Sequence, residues 1–466
     1  MKHKKLGTLT LALTLIVLGI ILLINNFVPI DIYKTLRILV AISIILIGVE
    51  FIFFDWYYKK RNSAMELKVS VSSIILLIII YSVCFLFTNI KINLNNEESG
   101  NIFRRLFEMT DQYQITKSYV ENADNLETIS IDSNGGDIKV SATERKDINI
   151  EAVIHVNTYG SEEEAEELTD NMIDIDRKEE NILQINSNNK MYNHRQIYSY
   201  VDYTIEIPKE LQVSISNKNG NVYVYDVNGK TVISSRNSDI EVENIGDELY
   251  IENKYGDIEV CNVSGVTEIK NENGVVDIEK IGSDLIIKNC YDKIEFEDIM
   301  GNVTIEQKNG EIDGNSVNKD LEIDAEYSPV KIEDIKGSVN IETTNNEVIV
   351  KNVDNNLELS NKYGAMTLEK IRGNISIYST NGDINLDNHD IQVKEIDIEH
   401  KYGRVNIDIP NDQQGQFKLK TRYGNINSII DMEIDEEDNE QSVNSIIGDN
   451  NSLIDITTNN GDIEIE

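Results

Sequence analysis

The sequence is short of residues that staple, kink or coordinate. Its 466 residues include 3 Cys, 4 Pro, 1 Trp and 5 His. Three Cys cannot build a disulfide scaffold. Cys261 and Cys290 also fall at different places in the repeat described below, so they share no column that a bridge could span. With so few Pro and a hydrophobic content of 40%, the chain is not a disordered acidic tail. Positive charge is scarce: 43 Lys+Arg stand against 81 Asp+Glu, a net of −38. That balance excludes a nucleic-acid partner, because phosphates are held by surplus Lys and Arg. His3, His155, His194, His389 and His400 form no HExxH or other ligand spacing. GxSxG, Walker and Rossmann patterns are missing too. Asn381-Gly382-Asp383, Asn460-Gly461-Asp462 and Gly135-Gly136-Asp137 offer oxygens of the kind Ca²⁺ takes, but they read as turns, and the calcium-solenoid GGxGxD motif is absent. No catalytic, cofactor-binding or metal-ligating residue is assigned, and no cofactor is expected.

The charge is unevenly spread. Residues 1–90 carry nine Lys/Arg and four Asp/Glu, whereas residues 91–466 carry 34 and 77. The basic part contains three apolar runs, about 6–25, 36–54 and 70–88. Each matches the ~20 residues that span a bilayer. They are expected to be three transmembrane helices forming an anchor over 1–90. Lys2, Lys4 and Lys5, with Lys59, Lys60, Arg61 and Lys68, place the N-terminus and the 55–69 loop in the cytoplasm. Everything after about residue 90 is then extracytoplasmic. Trp56, Tyr57 and Tyr58 fit an interfacial belt. Glu50, inside the second run, is expected to snorkel to the nearby interface, and Cys84 to pack. The pair LIVLGIILLINNF and IILIGVEFIFF resembles the membrane region of LiaF-type envelope-stress proteins.

Residues 91–124 read as a juxtamembrane linker, with Ile102, Phe103, Leu106 and Phe107 at helical spacing. Alternation begins at Leu126, and residues 125–216 read as an N-terminal cap with a short helix near 161–172, opened by the capping box Ser161–Glu164. The repeat follows, over 217–466. A turn position recurs every 18 residues at Gly220, Ser238, Gly256, Gly274, Asp292, Gly310, Ser328, Asn346, Gly364 and Gly382. Apolar residues follow two, four, seven, eleven and thirteen positions later, for example Ile294, Phe296, Ile299, Val303 and Ile305. Period two within each arm means one buried and one wet face. A fixed period means one circuit per unit. The expected fold is an all-β parallel β-solenoid of 18-residue coils, although 36 residues per flattened coil also fits.

The residue before the turn adds that second period. It alternates between Asn (237, 273, 309, 345, 381) and Tyr (255, 291, 327, 363), and Gly229, Gly265, Gly301, Gly337 and Gly373 share the 36-residue spacing. Asn here suits a corner and an amide ladder. The tyrosines would form an exposed row able to stack on sugar rings, although a corner role is favoured. After Gly382 the intervals lengthen and the coils degenerate, with an acidic insert at Asp431–Glu440.

The stretch VDYTIEIPKELQVSISNKNGNVYVYDVNG, with NKYGDIEVCNVSG, STNGDINL and the acidic helix SEEEAEELTDNM, resembles the bacterial putative-adhesin family of β-solenoid domains over residues ~125–466. The resemblance implies a right-handed parallel β-helix and a non-enzymatic surface role. Its partners would be the lipid bilayer and a cell-wall glycan, a host glycan or a membrane protein. Two alternatives remain: an envelope-stress sensor acting through its transmembrane helices, and a carbohydrate-active enzyme.

Overall fold

The computed structural model describes residues 3–6, 8–25, 32–60, 66–70, 75–76, 79, 111–158, 161–187 and 198–466. They fall into two compact units, residues 1–111 with 159–161, and residues 112–158 with 162–466.

In the first unit, β1 (His3–Leu6) pairs in parallel with β2 (Glu66–Val69). Between them in sequence lie α1 (Thr8–Asn25) and α2 (Ile32–Lys60). The two helices meet through a polar seam. Buried Glu50 accepts the Thr10 amide at 3.2 Å and the Thr10 hydroxyl at 2.7 Å, and the Thr14 and Ser43 hydroxyls lie 3.1 Å apart. Ile16, Ile44, Ile45, Ile52 and Trp56 point away from the seam and are each more than half exposed.

Among the described residues no helix is long and apolar enough to cross a membrane. The three transmembrane helices expected at 6–25, 36–54 and 70–88 are therefore corrected, and the fold class is all-β without them. The physical reason lies in what interrupts the runs. Thr8, Thr10 and Thr14 occur in the first run, and Arg37 and Glu50 interrupt the second, which Lys34, Asp55, Lys59 and Lys60 flank within α2. In the third run the described residues are Ser70, Ile75, Leu76 and Ile79, and Cys84 lies outside them. Glu50 does not snorkel, because the Thr10 groups hold it in the seam.

The second unit opens with β3 (Asp111–Asn122), inside the stretch read as linker; the helix expected near 102–107 lies outside the described residues. Then come β4 (Thr128–Ser133), β5 (Ile138–Thr143), β6 (Asp147–Thr158), α3 (Glu162–Thr169), β7 (Ile173–Glu179), β8 (Ile182–Ser187) and β9 (Tyr198–Pro208). β10 (Gln212–Asn219) and β11 (Val222–Tyr225) begin the regular coils. Each coil gives one strand to an 18-stranded sheet and one to a 17-stranded sheet. Successive coils pair in parallel, shifted by 18 residues, as in Ile215 with Ile233 and Val222 with Ile240. The coil is thus 18 residues, and the 36-residue alternative is excluded.

The expected apolar positions point inward. Ile294, Ile299, Val303 and Ile305 are buried in one continuous core that draws on both sheets. Phe296 is larger than its column neighbours, and it fits because Gly314 follows it one coil later: a Cβ there would lie 2.0 Å from the Phe296 ring. Inside the corner a column of amides satisfies turn carbonyls. Asn253 Nδ2 donates to Ser238 O at 2.9 Å, Asn271 Nδ2 to Gly256 O at 3.3 Å, and Asn361 Nδ2 to Asn346 O at 3.0 Å. This main ladder sits two residues before the position the sequence suggested. A second corner is built on left-handed residues that are not glycine, among them Asp226, Asn244, Lys280 and Ser316, with φ between 58° and 61°.

Both ends depart from sequence order. β4 and β5 lie between β8–β9 and β10–β11. At the far end the C-terminal strands Leu453–Asn460 and Ile463–Ile465 lie between the coil of Glu395–Asp408 and that of Gly415–Ser428. Antiparallel strands then close each end, β6 on β9 and β7 on β8 at one, Glu440–Ile447 on Gly415–Thr421 at the other. The acidic insert supplies a last edge strand, Asp435–Glu437, whose three acids are all exposed. Short, charged edges deter pairing with a second chain.

Candidate functional site

The Asn/Tyr alternation becomes a line along one corner of the solenoid. Strand pairing aligns Asn237 with Tyr255, Tyr255 with Asn273, Asn309 with Tyr327, and Asn345 with Tyr363. Tyr255, Tyr291, Tyr327 and Tyr363 are 43–55% exposed. The alternation outlasts the regular sequence period. Asn381 pairs with Tyr402 and Tyr402 with Asn460, and the Tyr423 amide then donates to Asn459 O at 3.0 Å. Because the C-terminal strand inserts between the last two coils, Tyr402 and Tyr423 stand two coils apart like the others. Both are at least half exposed. The row therefore holds six tyrosines at a spacing of about 9.6 Å, twice the inter-strand distance.

Sequence reasoning found four of the six. The 18-residue count lost Tyr402 and Tyr423 where the intervals stretch. A local signal could have found them: Lys401-Tyr402-Gly403 and Arg422-Tyr423-Gly424 match Lys254-Tyr255-Gly256 and Lys362-Tyr363-Gly364. The Lys254, Lys362 and Arg422 cations lie 5.5–5.6 Å from the centroids of their neighbouring rings. The glycine after the ring is required by the turn. Gly256 has φ +121°, and a Cβ on it would sit 2.1 Å from Ser238 O.

Beside the row runs a shallow groove of about 410 Å³ on the adjoining sheet face. Its outward lining includes Glu252, Lys270, Glu272, Lys288, Glu306 and Lys308, with the amides of Asn253, Asn271, Asn289 and Gln307 beneath. Ion pairs cross between coils here: Lys254 Nζ reaches Glu272 at 2.9 Å, and Lys288 pairs with Glu306.

The other candidates come together less well. Asp387, His389 and Asp408 bring ligand-type atoms within 4.8 Å of one another. Yet His389 Nδ1 lies 2.6 Å from Asp387 and its Nε2 lies 3.0 Å from Asp390. Hydrogen bonding to Asp387 and the nearby carboxylate charges raise the imidazole pKa, and both ring nitrogens are engaged by carboxylates. His155 is buried, stacked on Tyr200 and bonded through Nε2 to Asp202 at 2.8 Å. His400 is buried in the corner column, where burial lowers its pKa. Cys261 and Cys290 are free, and burial pushes the Cys261 thiol up. His3 offers a described backbone only, and His194 lies outside the described residues.

No curated protein matches the chain. A crystal structure described as a putative cell adhesion protein from Clostridium sporogenes aligns with 76% of this chain and 99% of its own, at 11% identity. Its TM-score of 0.18 is too low to support any inference. A family match covers residues 285–466, so it does not reach the apolar runs that resemble LiaF-type proteins. Over those residues, which hold five of the six tyrosines of the row and the C-terminal closure, the chain is similar to the family described as Toastrack DUF4097.

Proposed function

We propose that the chain is a non-enzymatic, adhesin-like protein of the cell envelope, whose solenoid is displayed outside the cytoplasmic membrane and contacts a glycan or another surface through its tyrosine corner. The observation that carries this reading is the row of six exposed tyrosines held at one spacing on a rigid β-scaffold. Exposed aromatic rings in a line are costly to leave in water and useful for binding. The rest of the surface supports the same reading. Outward positions are dominated by Asp and Glu, which keep stacked β-surfaces soluble and separate. The Toastrack match adds only that residues 285–466 are similar to that family.

The test is direct. A fragment of residues 111–466, which has its own core, is expected to sediment with isolated envelope material, and the full chain on intact cells to be cleaved by added protease. A fragment that binds no envelope fraction, or a solenoid protected in intact cells yet cleaved in lysates, overturns the reading.

A further inference from the structure

We propose that the tyrosine corner is a docking strip for a neutral, linear β-1,4-linked glycan lying along the solenoid axis, with one tyrosine under every second sugar. The inference deepens the reading above and rests on it. It starts from the alternation itself. In a β-1,4 chain each sugar is flipped relative to the one before, so the same ring face recurs once per disaccharide. The two-coil spacing of about 9.6 Å is close to the length of that extended disaccharide. A tyrosine in every coil would meet alternating, inequivalent faces. A tyrosine in every second coil meets the same face each time, and Asn273 and Asn309 lie level with the flipped sugars between.

Three further features fit that ligand. The row keeps its period across the inserted C-terminal strand, where sequence order is broken but spatial order is not. Six tyrosines cover five intervals, roughly 48 Å, which suits an extended chain rather than a single sugar. The neighbouring groove offers Glu, Lys and amide groups to hydroxyls. Charge selects neutrality. The adjoining groove, where Glu252, Glu272, Glu306, Asp324 and Glu326 outnumber three lysines, disfavours a polyanion, while Lys254, Lys362 and Arg422 close to their rings disfavour a polycation.

The test is calorimetric titration of the 111–466 fragment with chitohexaose, cellohexaose and maltohexaose. At least one of the two β-1,4 hexasaccharides is expected to bind at least tenfold more tightly than the coiled α-1,4 maltohexaose. A hexasaccharide covers three tyrosines, so Tyr327→Ala with Tyr363→Ala, which interrupts every run of three, is expected to weaken binding about five- to tenfold without moving the thermal midpoint. The decisive variant combines Tyr327→Asn with Asn309→Tyr and Tyr363→Asn with Asn345→Tyr, which keeps the number of rings and breaks their period; it should bind as weakly as the double alanine variant. Wild-type affinity in this period-breaking variant overturns the inference, as does no binding of either β-1,4 hexasaccharide. If envelope material still binds in those cases, only this inference fails; if nothing binds, the broader reading fails with it.

Discussion

The two units of the chain bury opposite things. In the helical hairpin the polar groups face inward, with Glu50 held by Thr10 and Thr14 facing Ser43, while Ile44, Ile45 and Ile52 face out. In the solenoid the aliphatics face inward and the acids face out. The contrast teaches where specificity comes from. A seam between two apolar helices is defined by its few directional hydrogen bonds, since side chains on every other face are interchangeable. A stack of near-identical coils is defined by shape and register, since nearly every inward column is already apolar. Substitutions that exchange polarity should therefore act with opposite sense in the two units.

The largest effect is expected from reversing polarity inside the solenoid. Ile305 is fully buried. Ile305→Asp places a carboxylate in the shared core and should cost about 3–5 kcal/mol, read as unfolding of the 111–466 fragment at lower temperature or denaturant. Its neighbour Glu306 faces out and pairs with Lys288, so Glu306→Lys should change stability by less than about 1 kcal/mol. Equal effects from the two would refute the inward and outward assignment.

Next in size is a test of shape. Gly314→Val meets the Phe296 ring and should destabilise by about 2–3 kcal/mol. Phe296→Val alone opens a cavity at a cost of about 1–3 kcal/mol. Together they make the column uniformly aliphatic, and the double variant should recover most of the wild-type stability. Additive losses in the double variant would mean that the two positions are not filling one space.

The hairpin should answer to hydrogen bonding instead. Glu50→Leu adds apolar surface, yet strands the Thr10 groups at a cost of about 1–3 kcal/mol. Disulfide formation between Thr14→Cys and Ser43→Cys, whose native oxygens face each other at 3.1 Å, should drop in the Glu50→Leu background and recover in part when Thr10→Val removes the stranded hydroxyl and leaves only the residue-10 amide unpaired by residue 50. Unchanged cross-linking in all backgrounds would show that the seam does not hold the helices together.

The same contrast explains what the sequence disclosed. The solenoid was legible because its core follows from a period: the inward aliphatics from Val222 to Ile371 could be counted off, and they are buried. The four tyrosines at 18-residue steps were legible for the same reason. What failed was information carried by neighbours rather than spacing. The amide column at Asn253 and Asn271 satisfies carbonyls that only the folded corner brings near. The left-handed residues Lys280 and Ser316 have side chains that do not advertise positive φ. The crossed order at both ends depends on pairing between segments distant in sequence, so Tyr402 and Tyr423 fell outside the 18-residue count even though the Lys/Arg-Tyr-Gly pattern marks them. In the apolar runs, hydropathy weighed every residue alike and missed that Thr10, Thr14, Ser43 and Glu50 form one seam.

The smallest expected effect concerns the one imidazole in the corner column. Where other coils carry Asn253, Asn271 or Asn361, one coil carries His400, which is 4% exposed. Desolvation by burial lowers its pKa below the ordinary value of 6.5 and outweighs the opposing pull of Asp383 and the nearby carbonyls. The sign follows from which state takes the proton first. As pH falls below about 6.5 the unfolded chain protonates this imidazole while the folded chain resists. Stability should therefore decline with falling pH, by at most about 1.4 kcal/mol per pH unit, until the folded imidazole is protonated as well. His389, with its pKa raised by Asp387 and Asp390, contributes in the opposite sense, and the carboxylates add their own dependence. Both are common to wild type and variant and cancel in the difference. His400→Asn restores the column's commonest residue, so the gap between variant and wild type should widen in the variant's favour between pH 6.5 and 5 in chemical unfolding of the 111–466 fragment. A difference that stays constant across that window would mean that this imidazole is not desolvated in the fold.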